Sequence, residues 1–112
     1  MKWDVYYSAQ ARLDIRNIYE YIACDLLVPE TAVGQTQRIM KKIRLLNNMP
    51  MRNQLYSDEP WNSQGLRYML VDNYLVFYLP NEINHSVNII RIMYAGRDIE
   101  QQLSSTKNDF LT

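Results

Sequence analysis

Between Ser8 and Pro50 the chain carries two helical stripes separated by a single break. Ala11, Ile15, Ile18, Ile22 and Leu26 recur at spacings of three and four, which puts them on one face of a helix. Ser8 is placed to cap its start. The break is Val28-Pro29: a proline pushes the preceding residue out of helical geometry and itself suits the first turn of a new helix. Ala32, Thr36, Ile39, Met40, Ile43 and Leu46 carry the second stripe, which ends at Pro50. Two amphipathic helices joined by so short a connection form an antiparallel hairpin. Gly34 lies inside the second helix, where glycine costs up to ~1 kcal/mol relative to alanine. A close helix–helix crossing is the expected reason for it.

The flanking segments read as strands. Lys2 to Tyr7 alternates and is rich in Trp, Val and Tyr. After an irregular stretch from Met51 to Gln64 come three runs: Leu66 to Val71, Tyr74 to Leu79 and Ser86 to Tyr94. Asp72-Asn73 is a two-residue hairpin turn, since both residue types tolerate positive φ. Tyr74, Val76 and Tyr78 share one face, read as the core side. The order is β-α-α-β-β-β, an α+β fold with the helix hairpin packed on one face of an antiparallel sheet. The other sheet face has nothing left in the chain to cover it fully. Residues 1–103 form one domain, closing with one or two helical turns after Arg97, and residues 104–112 a polar tail.

Composition removes several kinds of chemistry. Twelve basic and twelve acidic residues cancel, so global charge does not argue for nucleic acid. One Cys and one His cannot build a zinc site, and the three glycines are too far apart to cradle a phosphate. No metal or cofactor is expected. Cys24, inside a helical pattern, is expected to be a buried thiol in a reducing compartment. The N-terminal segment lacks a signal peptide's apolar core and no apolar run approaches ~20 residues, so the chain reads as cytoplasmic with no membrane contact.

What remains is a set of cations and tyrosines. From Thr31 to Ser57 there is no Asp or Glu, while Arg38, Lys41, Lys42, Arg44 and Arg52 all fall there. Arg67 and Arg91 lie on strands and Arg97 just beyond the last one, with Tyr68, Tyr74, Tyr78 and Tyr94 interspersed. Three arginines on a sheet with an open face point to an anionic or acidic partner. His85 is expected in a solvent-exposed loop.

Four segments carry a family likeness: IRNIYEYIA, RIMKKIRLLNNMP, GLRYMLVDNYLVFY and IIRIMYAGRD. In this order and spacing the sequence resembles the RelE/ParE superfamily of bacterial type II toxins, over roughly Lys2 to Leu103. The resemblance implies the fold derived above and a cognate antitoxin that wraps the toxin through an otherwise disordered segment. RelE-like members cut mRNA on the ribosome by 2′-hydroxyl attack on the adjacent phosphate, using cations on the open face. ParE-like members bind DNA gyrase and poison it without chemistry of their own. Here the strands of YMLVDNYLVFY hold no lysine, Asn73-Tyr74-Leu75 stands where RelE-like toxins carry Gly-Tyr-Arg, and no tyrosine follows Tyr94. The expectation is therefore a growth-inhibiting, ParE-like gyrase binder of the plasmid-stabilisation kind, with Arg67, Arg91, Arg97, Lys41, Lys42 and Arg44 on partner-binding surfaces. The alternatives are a metal-independent, ribosome-dependent RNase using Arg67, Arg97, Tyr94 and His85, or an inactive antitoxin-binding module.

Overall fold

The computed structural model describes residues 2–96 and 98–110, with side chains described through Ser104. Four strands, β1 (Asp4–Tyr7), β2 (Arg67–Val71), β3 (Tyr74–Asn81) and β4 (Ser86–Tyr94), form one sheet in the order β1-β4-β3-β2. The β2-β3-β4 meander is antiparallel, but β1 runs parallel to β4, because the hairpin carries the chain back across the sheet before the meander begins. Asp72 takes a φ of 54° in the β2–β3 turn, the left-handed conformation that an aspartate tolerates.

The hairpin pairs α1 (Ala9–Glu20) with α2 (Pro29–Arg44). The Ser8 hydroxyl accepts from the Ala11 N–H and donates to the Ile90 carbonyl, so one side chain caps α1 and ties it to β4. Ala11, Ile39, Ile43 and Leu46 pack with Val71, Val76, Tyr78, Val87, Ile89 and Ile92, and Ile15 and Ile18 add partial burial. Tyr78 is fully buried and Tyr74 packs beside it, as the alternation requires. The first stripe fails at its end. A π-helical turn over Tyr21–Asp25 widens the coil and changes which positions face inward, so Leu26 is 53% exposed. Cys24 is exposed by the same turn, not buried. Gly34 makes no close crossing with α1: a Cβ there would meet the tip of Arg38, at 3.3 Å.

The other face is also covered, contrary to expectation. The irregular stretch contains the short helix α3 (Trp61–Gln64), and α4 (Ile99–Phe110) continues well past Leu103, where a polar tail was expected. Trp61 and Leu103 pack against Leu66, Phe77, Ile90 and Met93, flanked by Tyr56, Tyr68 and Ile99. The Asp98 carboxylate accepts from the Gln101 N–H and so starts α4.

Candidate partner-binding surfaces

A bulge decides the fate of Arg91. Phe77 faces Arg91, yet the next residue, Tyr78, faces Ile89, so Ile90 is an extra residue in β4. Without it, alternation would aim position 91 at the hairpin face. With it, Ile92 takes that face and Arg91 stands opposite Phe77. β1 ends its pairing at Ile89, which leaves the edge of β4 open beyond that point. Asp14 of α1 closes this edge. Its carboxylate accepts from the Ile92 N–H at 2.9 Å and takes the Arg91 guanidinium through two bonds, of 2.8 and 3.1 Å. Arg91 also donates to the carbonyl and side-chain oxygens of Gln102 on α4. Both ions are buried, Asp14 6% and Arg91 8% exposed. The expectation that Arg91 serves a partner surface is corrected: it is a buried link between α1, β4 and α4.

Arg67 lies on the hairpin side, opposite Tyr78, and is half-buried. Its Nη1 donates to the carbonyls of Met51 (2.9 Å) and Asn53 (2.5 Å), which pins the segment running along the β2 edge. That segment continues the sheet through a Leu55–Arg67 bridge. The Tyr78 hydroxyl donates to the Pro50 carbonyl and accepts from Asn53. Burial raises its pKa, against smaller lowering effects of the Asn53 bond and of the Arg67 and Arg52 charges.

Tyr94 is 47% exposed at the far end of β4 and meets Tyr74 edge to face. Gly96 makes room for that ring, since a Cβ there would come within 2.5 Å of it. His85 sits just before the other end of β4, half-buried against Trp3 rather than free in solvent, with a φ of 50°. Nine residues of strand place Tyr94 and His85 roughly 25–30 Å apart. Arg67, across β3 from Ile89, joins neither of them. Arg97 lies outside the described residues.

The exposed cations that the sequence assigned to a partner surface are on α2. Lys41, Lys42 and Arg44 occupy its last turn, a favourable place beside the helix C-terminus, and all three are exposed. The contact that two neighbours make with the β2–β3 turn escaped the sequence reading. Arg38 Nε bonds Asp72 at 2.8 Å and Gln35 bonds the same carboxylate oxygen at 2.9 Å, clasping α2 to the β2–β3 turn. The Arg38 bond, then the Gln35 bond, holds the Asp72 carboxyl below its usual range. The i, i+3 spacing of Gln35 and Arg38 was visible in the sequence, but not the turn it meets. On the opposite cover, Asp58 and Glu100 approach each other, and this hydrogen bond and repulsion raise the Glu100 pKa. Among the described residues no His, Cys, Asp and Glu cluster is arranged to hold a metal, and no helix is long and apolar enough to cross a membrane.

The family model of the ParE toxin of the type II toxin–antitoxin system parDE matches residues 5–99. The chain belongs to the ParE toxin family. It is thus a type II toxin of the RelE/ParE superfamily, as the four sequence segments implied. No protein of curated function matches the sequence. The fold recurs in the chromosomal ParDE system of P. aeruginosa, at 19% identity and a TM-score of 0.68, covering 83% of this chain and 96% of that one. It recurs in the toxin–antitoxin complex RelBE2 of Mycobacterium tuberculosis, at 17% identity and a TM-score of 0.60, covering 84% of this chain and 92% of that one. A mutant of E. coli toxin RelE in the free state is similar at 12% identity, with a TM-score of 0.65 over 98% of this chain and 99% of that one. At such identities these likenesses speak for the ParE-family fold alone.

Proposed function

We propose that this ParE-family toxin inhibits growth by binding DNA gyrase as a protein partner, in the cytoplasm, and that a cognate antitoxin restrains it. The scatter of the cations and proton-transfer groups supports binding over RNA cleavage. Cleavage by 2′-hydroxyl attack needs a cation and a proton acceptor around one phosphate. Here Arg91 is buried on Asp14, Arg67 is engaged by two backbone carbonyls, and Tyr94 and His85 stand at opposite ends of β4. A binding surface has no such need for convergence. Lys41, Lys42 and Arg44, exposed on α2, suit an acidic antitoxin segment, while Arg67 and Arg97 are assigned to the target surface.

Purified toxin and gyrase, assayed for supercoiling and for trapped double-strand breaks, test the target. Inhibition that scales with gyrase binding is expected, together with intact mRNA on programmed ribosomes. Site-specific mRNA cleavage, lost in Arg67→Ala with ribosome binding retained, would replace the gyrase reading with the RNase. For the antitoxin, reversing Lys41, Lys42 and Arg44 together should weaken the complex at low salt. Unchanged affinity would place the antitoxin elsewhere.

A further inference from the structure

Two open cavities of similar size lie on this neutral chain, and their linings carry opposite charge. One, of about 510 Å³, is lined by Asp58, Glu59 and Glu100 beside α3 and α4. The other, of about 520 Å³, lies past the C-terminal end of α2 and is lined by Lys2, Leu45, Asn47, Asn48 and Arg52, with no carboxylate. Lys2 and Arg52 are exposed, and neither is ion-paired to a described residue. The acid-free stretch from Thr31 to Ser57 supplies four of the five lining residues, and the start of β1 brings Lys2 to them.

We propose that this second cavity binds a phosphate ester. The argument rests on donors. An ammonium, a guanidinium and two carboxamides place many N–H groups around one opening, and no acid is present to take them up. Arg, Lys and Asn are side chains that hold phosphate oxygens in nucleic-acid complexes. Phosphate spreads its acceptors over a tetrahedron and can take donors from several walls at once, whereas a carboxylate presents two oxygens in one plane. No aromatic residue lines the cavity, so a base finds no stacking surface there and recognition stops at the phosphate. The phosphate has two possible sources: a free nucleotide, for which the volume is ample, or the backbone of a nucleic-acid strand. The inference goes beyond the gyrase reading and does not depend on it.

The test is fluorescence anisotropy with the full chain at low ionic strength, using labelled single-stranded DNA, labelled duplex, a labelled nucleoside triphosphate and a labelled oligoglutamate. The reversed pair Lys2→Glu/Arg52→Glu is compared with Arg12→Glu/Arg16→Glu, an equal charge change on exposed positions of α1. The expected result is DNA binding weakened about tenfold or more in the first pair only, with a salt slope shallower by about 2. The same dependence for the triphosphate alone also supports the site and identifies a nucleotide as the source. Equal loss in both pairs would reduce the effect to net charge and overturn the site. Binding of oligoglutamate without either phosphate ligand would overturn it as well. If the reversed pair fails to fold by circular dichroism, Lys2→Gln/Arg52→Gln reads the same positions.

Discussion

On one face of the sheet, α1 and α2 lay continuous apolar stripes over β3 and β4. On the other, Trp61 from a four-residue helix and Leu103 from α4 act as separate anchors over Phe77, Ile90 and Met93. Long periodic elements share a load among many side chains, and each helix is stabilised by the same contacts that seat it. Isolated anchors do not share it. The second cover should therefore open locally while the hairpin stays closed, and the Arg91 network is where the two covers meet.

The largest effect should come from cutting that meeting point. Asp14→Ala leaves the Arg91 guanidinium buried without its carboxylate, which costs about 3–5 kcal/mol. Amide exchange should then accelerate in both α1 and α4. Acceleration in α1 alone would show that Arg91 does not connect the covers. Next comes Ile39→Ala, at about 2–5 kcal/mol, read as a lower Tm of the whole domain because Ile39 is fully buried under the hairpin. Ile18→Ala, at a half-buried position, should cost less than Ile39→Ala. Equal costs would mean that α1 carries more of the core than its burial indicates. Leu103→Ala should cost about 2 kcal/mol or more, but as local opening. Exchange should rise in α4 and around Trp61 while α2 amides keep their protection. Uniform acceleration would erase the contrast between the faces.

The smallest expected effect is a pH response of opposite sign on the two sides. Asp72 has a lowered pKa, so its clasp to Arg38 contributes stability above the unfolded value near pH 4 and loses it as pH falls through the folded value. Glu100 has a raised pKa from its contact with Asp58, so the protonated pair contributes below the unfolded value and loses that contribution as pH rises through the folded one. Lowering the pH from neutral toward the unfolded glutamate value should therefore raise exchange protection in α4, taken relative to the intrinsic exchange rate at each pH, before any protection is lost at the β2–β3 turn. Glu100→Gln should remove that response. Its persistence in the variant would assign the effect to another group.

The hairpin and the strands could be read from the sequence because both depend on local period. Ala11 to Ile22, Ala32 to Leu46 and Tyr74 to Tyr78 each fix an inward face through spacing alone. The π-helical turn escaped this reading: nothing in YIACD departs from helical spacing, yet Leu26 and Cys24 end up outside. Lys41, Lys42 and Arg44 were legible as exposed cations, because a charged helix face opposite an apolar stripe faces solvent.

What the sequence could not determine was which partner each charge meets. Arg67 and Arg91 look alike on their strands, but their surroundings come from residues 11 to 77 positions away. A bulged residue, Ile90, turned Arg91 from one face to the other, and an open strand edge gave Asp14 its place. Lys2 and Arg52 likewise share a cavity only because β1 starts beside the end of α2. Periodicity is set by the chain's own geometry and is written along it. Burial and pairing depend on which elements meet across the fold, and only the tertiary structure decides that.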